Sequence, residues 1–335
     1  PGRIQDHLQR QTLDLTGVAT FVLDEADRML DMGFAEVMAT ITAALPKKRQ
    51  TLLLSATFPE DIKKMSRAIQ RQPIEVKVDA VLTHDETVLE QLFFEIQKHE
   101  RNTALLALFE HYQPGNAMVF CNTKKQCAEV AAFLQEHDIE AAAIHGELDQ
   151  RDRDQVLLQF TTNSCPVLVA SDVAARGLDI PALAMGVNFE LPRDGDTYVH
   201  RIGRTGRAGE TGQAFSLVTP SEAPRLRVIE DHLQINCLCD VLESLNRNPN
   251  YQLQGDMTTL QFDAGRKQKL RPGDILGALT GDAGLAGDQI GKIKILDNSS
   301  YVAIARPVLR QAMNYLAQGK IKGRSIRARR LKLHR

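Results

Sequence analysis

Eight short apolar runs rich in β-branched residues recur along the first two thirds of this chain, and polar stretches with helical spacing separate them. They are TFVLD from Thr20, TLLLSA from Thr51, IEVKV from Ile74, AMVFCN from Ala117, EAAAIH from Glu140, PVLVAS from Pro166, MGVNFEL from Met185 and QAFSLVT from Gln213. A parallel strand pair needs a crossover, usually a helix, to return the chain, so this alternation predicts an α/β fold of parallel sheets covered by helices.

Two polar joints, VDAVLTHDE at 78–86 and NRNPNYQLQGD at 246–256, divide the chain into expected units 1–78, 86–245 and 256–335. The first is too short for a complete doubly wound domain and Pro1 is not an initiator methionine, so the expectation is a chain cut at its front, with apolar sheet edges exposed. Charge is unevenly divided. Residues 258–335 hold 16 Lys+Arg and five Asp, a net +11, which leaves −12 for the rest, and such a split predicts a basic module for a polyanion. Its last seventeen residues, GKIKGRSIRARRLKLHR, read as a basic-faced strand. No apolar run approaches the roughly 18 residues of a membrane span, and no signal pattern opens the chain; the expectation is a cytoplasmic protein. Five cysteines without a CxxC pair argue against a disulfide framework and against zinc, and Cys237 and Cys239 read as small residues of a helix.

Three acids, Asp24, Glu25 and Asp27, crowd the end of the first run in FVLDEADRML. At the C-terminal end of a buried strand Asp24 can hold Mg²⁺ and Glu25 can orient or deprotonate a water, as phosphoryl transfer requires. Acids set against a helix dipole are the other reading. In YVHRIGRTGRAG, His200, Arg204 and Arg207 share one helical face, and guanidinium forks converging without an acid between them suit phosphate oxygens. No GxxxxGK[ST] loop occurs; GDQIGKI from Gly287 is a near miss, read as the approach to a strand.

VLDEADRML, SAT at Ser55–Thr57, FCNTKKQC, HGELDQRDRD, VLVASDVAARGLDIP and YVHRIGRTGRAG occur in the order of the DEAD-box RNA helicases, which the chain resembles over residues 1 to about 220. The basic module resembles the C-terminal domain of the DbpA subfamily. The resemblance implies a partial and a complete RecA-like lobe, RNA-stimulated ATP hydrolysis, local unwinding, and targeting to large-subunit ribosomal RNA. It assigns Asp24 to Mg²⁺, Glu25 to the attacking water, Ser55 and Thr57 to coupling of nucleotide and RNA, and Asp27 to motif neighbours across the lobe cleft. Asp179 corresponds to a ribose contact, Arg204 and Arg207 to arginine fingers, and His200 to a link between lobes. RNA contacts fall on Pro1, Gly2 and Arg3, and on Gln150, Arg153, Ser171, Arg176 and Gly177. Ser171 stands where the family usually has threonine and keeps the hydroxyl. The family's phosphate loop lies upstream of the acids, so this chain alone is expected to be inactive toward ATP.

The basic module shows the α+β order of an RRM: strand 258–264, helix 272–281, strands 289–296 and 300–305, helix 307–318 and strand 321–331. An RRM stacks bases on aromatics of its two central strands, for which Phe262 and Tyr301 are available. Packing of Tyr301 within the sheet is the alternative. Lys267, Lys269, Arg271, Arg327, Arg329 and Arg330 are the candidate phosphate contacts. A non-catalytic protein that binds structured RNA is the competing function, and a DNA helicase of the same superfamily a weaker third.

Overall fold

The computed structural model describes residues 1–77, 89–175, 180, 183–206 and 212–333, which form two compact units, Pro1–Ala80 and Val81–Arg335. The first contains α1 (Gly2–Gln9), β1 (Thr20–Leu23), α2 (Ala26–Asp31), α3 (Ala35–Ala43), β2 (Gln50–Leu53) and α4 (Glu60–Ile69). β1 and β2 pair in parallel, Thr20 opposite Gln50. Leu23, Met38 and Ile41 are its buried centre, with Phe21, Leu53 and Ile69 packed around them. Val22, Leu52 and Leu54 remain exposed. IEVKV does not form the predicted strand over its described residues 74–77. Ile74 and Val76 are largely exposed there, and a strand without a paired edge has nothing to hold it.

In the second unit the chain continues through β3 (Leu89–Glu95), α5 (Arg101–Tyr112), β4 (Ala117–Cys121), α6 (Lys124–Glu136), β5 (Ala141–Ile144), α7 (Gln150–Thr161), β6 (Val167–Ser171), α8 (Asp172–Ala175), β7 (Met185–Asn188), α9 (Gly195–Ile202), β8 (Gly212–Val218), α10 (Ala223–Leu233) and β9 (Cys239–Asp240). Among the described residues, seven of its strands form one sheet in the order β5-β6-β4-β7-β8-β3-β9, all parallel. One face packs Leu105, Leu108 and Phe109 of α5 and Val130 and Leu134 of α6. The other receives Val156 and Phe160 of α7 and Tyr198, Ile202 and Ile229 from α9 and α10. β3 was not among the predicted runs, and Cys239 lies in a short edge strand instead of a helix.

The basic module follows as β10 (Met257–Phe262), α11 (Pro272–Gly277), β11 (Ile290–Ile295), β12 (Ser300–Ala305), α12 (Leu309–Gln318) and β13 (Ala328–Arg330). α11 runs on into a π-helical turn, Ala278–Asp282. The sheet order β11-β12-β10-β13, with antiparallel pairing, is the α+β arrangement expected. Leu260, Phe262, Val302 and Ile304 face Ile275, Leu279, Ala312 and Leu316 across its core. Among the described residues of the basic tail, only Ala328–Arg330 form a strand, a shorter one than the 321–331 expected.

The second and third expected units thus belong to one compact body, and the joint between them is not a free linker. Leu253 bridges in parallel to Ile139 beside the edge strand β5, Tyr251 donates its hydroxyl to the Pro114 carbonyl at 2.7 Å, and the Gly255 N–H donates to Glu140 Oε2 at 3.0 Å.

Candidate nucleotide and RNA sites

In the first unit the parallel pairing does not stop at the strand ends. The Leu54 N–H donates to the Leu23 carbonyl at 2.8 Å and the Ala26 N–H to the Leu54 carbonyl at 3.1 Å, and the Asp27 N–H donates to Ser55 Oγ at 3.1 Å. The acidic and SAT segments are therefore laced together. Thr57 donates both its N–H and its hydroxyl to Asp27 Oδ2, each at 2.9 Å, while the Arg28 N–H takes Oδ1 at 2.9 Å. Burial pushes the Asp27 carboxyl up, but the donors from Thr57, Arg28 and Ser55 outweigh it and hold the group below the usual carboxylate range. These bonds run within the unit, to Ser55 and Thr57, where the expectation was a partner across the cleft.

Asp24 is exposed at the end of β1, and its Oδ1 accepts the Glu25 N–H at 3.0 Å. Glu25 adopts a left-handed backbone, φ 52° and ψ 49°, which costs a non-glycine residue about 1–2 kcal/mol. Such strain concentrates at functional sites. A single exposed carboxylate suits Mg²⁺, which binds through one or two carboxylates and completes its shell with phosphate and water. Pro1 precedes α1, and Gly2 and Arg3 are exposed on its first turn.

In the second unit, half-buried His200 and Arg204 border a small open cleft with Phe120, Asp172, Ala175 and Thr197. Its organiser, Arg201, was not among the predicted site residues. The side chain is 2% exposed. It donates to both Asp172 oxygens at 2.6 and 2.9 Å, to Asn188 Oδ1 at 3.1 Å and the Glu190 carbonyl at 2.8 Å, and to Asn122 Oδ1 at 2.8 Å. One guanidinium thereby fixes the chain just beyond β4, β6 and β7. The signal was present in the sequence: a fourth cation beside His200, one position off the shared face. Ser171, at the end of β6, immediately precedes the clamped Asp172. Arg153 Nη2 donates to the Ala174 carbonyl at 2.9 Å, bringing α7 against α8. Gln150, the first residue of α7, donates to Asp154 Oδ1 at 2.9 Å. Arg176, Gly177, Asp179 and Arg207 lie outside the described residues.

At one end of the basic module the loop after β10 meets the β11–β12 turn: the Lys267 N–H donates to the Asp297 carbonyl at 2.9 Å. Lys322 Nζ donates to the Lys269 carbonyl at 2.9 Å, the Asp263 N–H to the Arg327 carbonyl at 3.1 Å, and Arg329 pairs with Asp263 at 3.4 Å. Lys267, Lys269, Arg271, Arg327 and Arg329 are exposed in and around these segments, and Arg330 is exposed on β13. Lys322 joins them, a contributor the sequence reading left out. Tyr301 is elsewhere. It is 4% exposed, and its hydroxyl accepts from Gln155 Nε2 of α7 at 3.3 Å. A ring so covered presents no face to a base, and Phe262 lies in the module's core. The stacking expectation fails in this arrangement, and the packing alternative describes Tyr301.

Comparison with known proteins agrees with this geometry. Residues 1–65 match the DEAD/DEAH box helicase family, residues 100–209 the helicase conserved C-terminal domain, and residues 259–330 the DbpA RNA binding domain. The chain is 47% identical over 332 residues to the ATP-dependent RNA helicase DbpA of Escherichia coli, covering 99% of this chain and 72% of that protein. Against the Bacillus subtilis protein of the same name it is 34% identical, covering 98% and 72%. Among solved structures, S. cerevisiae Dbp5 bound to RNA and ADP BeF3 superposes with a TM-score of 0.66 at 29% identity, over 72% of this chain and 64% of that one. Matched at its front, middle and end, the chain belongs to the DbpA-type DEAD-box ATP-dependent RNA helicases.

Proposed function

We propose that this chain supplies the acid and arginine sides of an RNA-stimulated ATPase that remodels structured RNA, with large-subunit ribosomal RNA in the cytoplasm as its target. The lacing of Asp27 to Ser55 and Thr57 carries the proposal, because it ties the carboxylate segment directly to the segment expected to answer RNA. Asp24 holds Mg²⁺, which when bound neutralises phosphate charge. Glu25 orients the attacking water, His200 couples the lobes, and Arg204 and Arg207 face the transferred phosphoryl group. Asp179 meets the ribose. Pro1, Gly2, Arg3, Gln150, Arg153, Ser171, Arg176 and Gly177 address phosphate and sugar, which carry no sequence information. Preference for ribosomal RNA falls to the module that matches the DbpA RNA binding domain.

The absence of GxxxxGK[ST] from the sequence favours a second reading for the chain by itself, a non-catalytic binder of structured RNA. One experiment addresses both. The 335-residue chain should bind RNA but turn over no ATP. In a polypeptide that joins a phosphate-binding loop ahead of Pro1, RNA-stimulated turnover should appear, and Glu25→Gln should abolish it while ATP still binds. Turnover retained by Glu25→Gln removes that residue from its role.

A further inference from the structure

Three consecutive carbonyls on the chain that leaves β7 are each taken by a different arginine. Arg101 donates to that of Phe189, Arg201 to that of Glu190 at 2.8 Å, and Arg225 to that of Leu191 at 3.0 Å. Arg201 is neutralised by Asp172. The other two share one carboxylate, Glu222, which pairs with Arg101 and lies 3.7 Å from Arg225. Glu222 closes a capping box after β8, where its Oε2 accepts the Thr219 N–H at 3.1 Å and the Thr219 hydroxyl at 2.8 Å. Its other oxygen leaves the box: Oε1 accepts the Leu191 N–H at 3.1 Å. Glutamate is rarely buried unless paired, and this one is 5% exposed. Arg101 is placed at similar cost. It is 8% exposed and is the first residue of α5, where the helix dipole opposes a cation. Beyond Phe189 and Glu222 it reaches the Leu217 carbonyl at 3.3 Å and Thr219 Oγ1 at 3.4 Å.

A buried ion pair is weak grounds for stability, because apolar residues often serve as well. Its use is read from what it holds. The span 189–191 ends three residues ahead of Asp194, which caps α9 by accepting the Thr197 N–H at 2.7 Å, and Pro192 with its fixed φ stiffens the step between them. Arg101 and Arg201 grip that span from opposite sides, since α5 packs on one face of the sheet and α9 on the other. We infer that Arg101 and Glu222 are positioning residues for ATP hydrolysis: their ion pair sets the span from which α9 departs, and through it the aim of His200 and Arg204. Neither residue lines the cleft that those two border. The inference rests on the roles proposed above for His200 and Arg204. A misplacement of about 1 Å caused far from the reacting atoms can cost about 10²-fold in rate, so the effect falls on turnover and leaves ground-state binding in place.

The first arm of the test uses the polypeptide that joins a phosphate-binding loop ahead of Pro1, with Glu222→Gln and with Arg101→Lys. Glu222→Gln removes the shared charge. Arg101→Lys keeps the charge but not the guanidinium fork, a milder change should the first variant fail to fold. Glu110→Gln is the control: Glu110 is an equally buried acid of the same unit, 5% exposed, paired with Arg247 and absent from the cleft lining. RNA-stimulated kcat, measured about 10 °C below the lowest melting temperature of the set, should fall at least about tenfold in Glu222→Gln and at least about fourfold in Arg101→Lys. KM for ATP and for RNA should stay within about threefold, and the control should keep kcat within about twofold. The second arm follows amide hydrogen exchange in the 335-residue chain. Exchange across residues 195–204 should quicken at least about fivefold in Glu222→Gln and in Arg101→Lys, with α6 unchanged. Smaller losses of kcat, an equal loss in the control, or a raised KM at unchanged kcat would overturn the inference. If the unaltered polypeptide turns over no ATP, the proposed function fails instead, and exchange decides the positioning: unchanged rates across 195–204 overturn it.

Discussion

At the scale of single residues, two side chains bear the most weight. Asp27 accepts three short hydrogen bonds through its carboxylate, and they hold it ionised. Its folded pKa is depressed, while the unfolded value is about 3.9. The linked stability is therefore present above about pH 4 and is lost as pH falls through the lower folded value. Urea unfolding of the first unit, followed from about pH 6 to pH 3, should show that loss in the wild type and lack this component in Asp27→Asn. Arg201 is the counterpart in the second unit. Lysine cannot reproduce its five bonds to four residues, and breaking a buried pair costs about 3–5 kcal/mol. Arg201→Lys should lower the melting temperature of the second unit by about 6–20 °C. An unchanged melting curve would show that the clamp is dispensable.

At the scale of elements, the sequence was legible where strands are buried on both faces. β4, β6 and β7 are continuous apolar runs, and central strands of a parallel sheet read that way. β3 escaped because Glu90, Gln91 and Glu95 interrupt LEQLFFE, whose place beside β8 comes from tertiary pairing that no local pattern records. IEVKV erred in the opposite direction, a good strand pattern with no described partner. The Asp24–Glu25 end of β1 and the arginine helix were visible from residue chemistry. Arg201 was not singled out, because its role depends on strand ends that meet only in the fold. α7 carries the same lesson: Gln155, Gln159 and Thr162 carry no local signal of their partners, and they meet the module's sheet and the segment after it only in the fold. Because that sheet is closed, Tyr301→Ala should leave affinity for a tailless RNA hairpin within about twofold. A base stacked on the ring would be worth about 1–3 kcal/mol, a loss of roughly five- to 150-fold.

At the scale of the whole molecule, two different chemistries are joined. The RNA contacts proposed for the helicase units are glycine, hydroxyl and arginine groups that ignore sequence, whereas the charge of +11 is gathered in residues 258–335. Phosphate contacts release counterions, so replacing Lys267, Lys269 and Arg271 with glutamine should flatten the salt dependence of binding by about 0.7–0.9 log units per lost contact. The most direct test of the account is competitive binding of the 335-residue chain to a large-subunit ribosomal RNA fragment and to an unrelated structured RNA of equal length, each at low and moderate salt. A ribosomal preference that persists at both salt concentrations while absolute affinity falls is the predicted result. Equal affinities at both would contradict it, leaving a basic surface that binds RNA without choosing it.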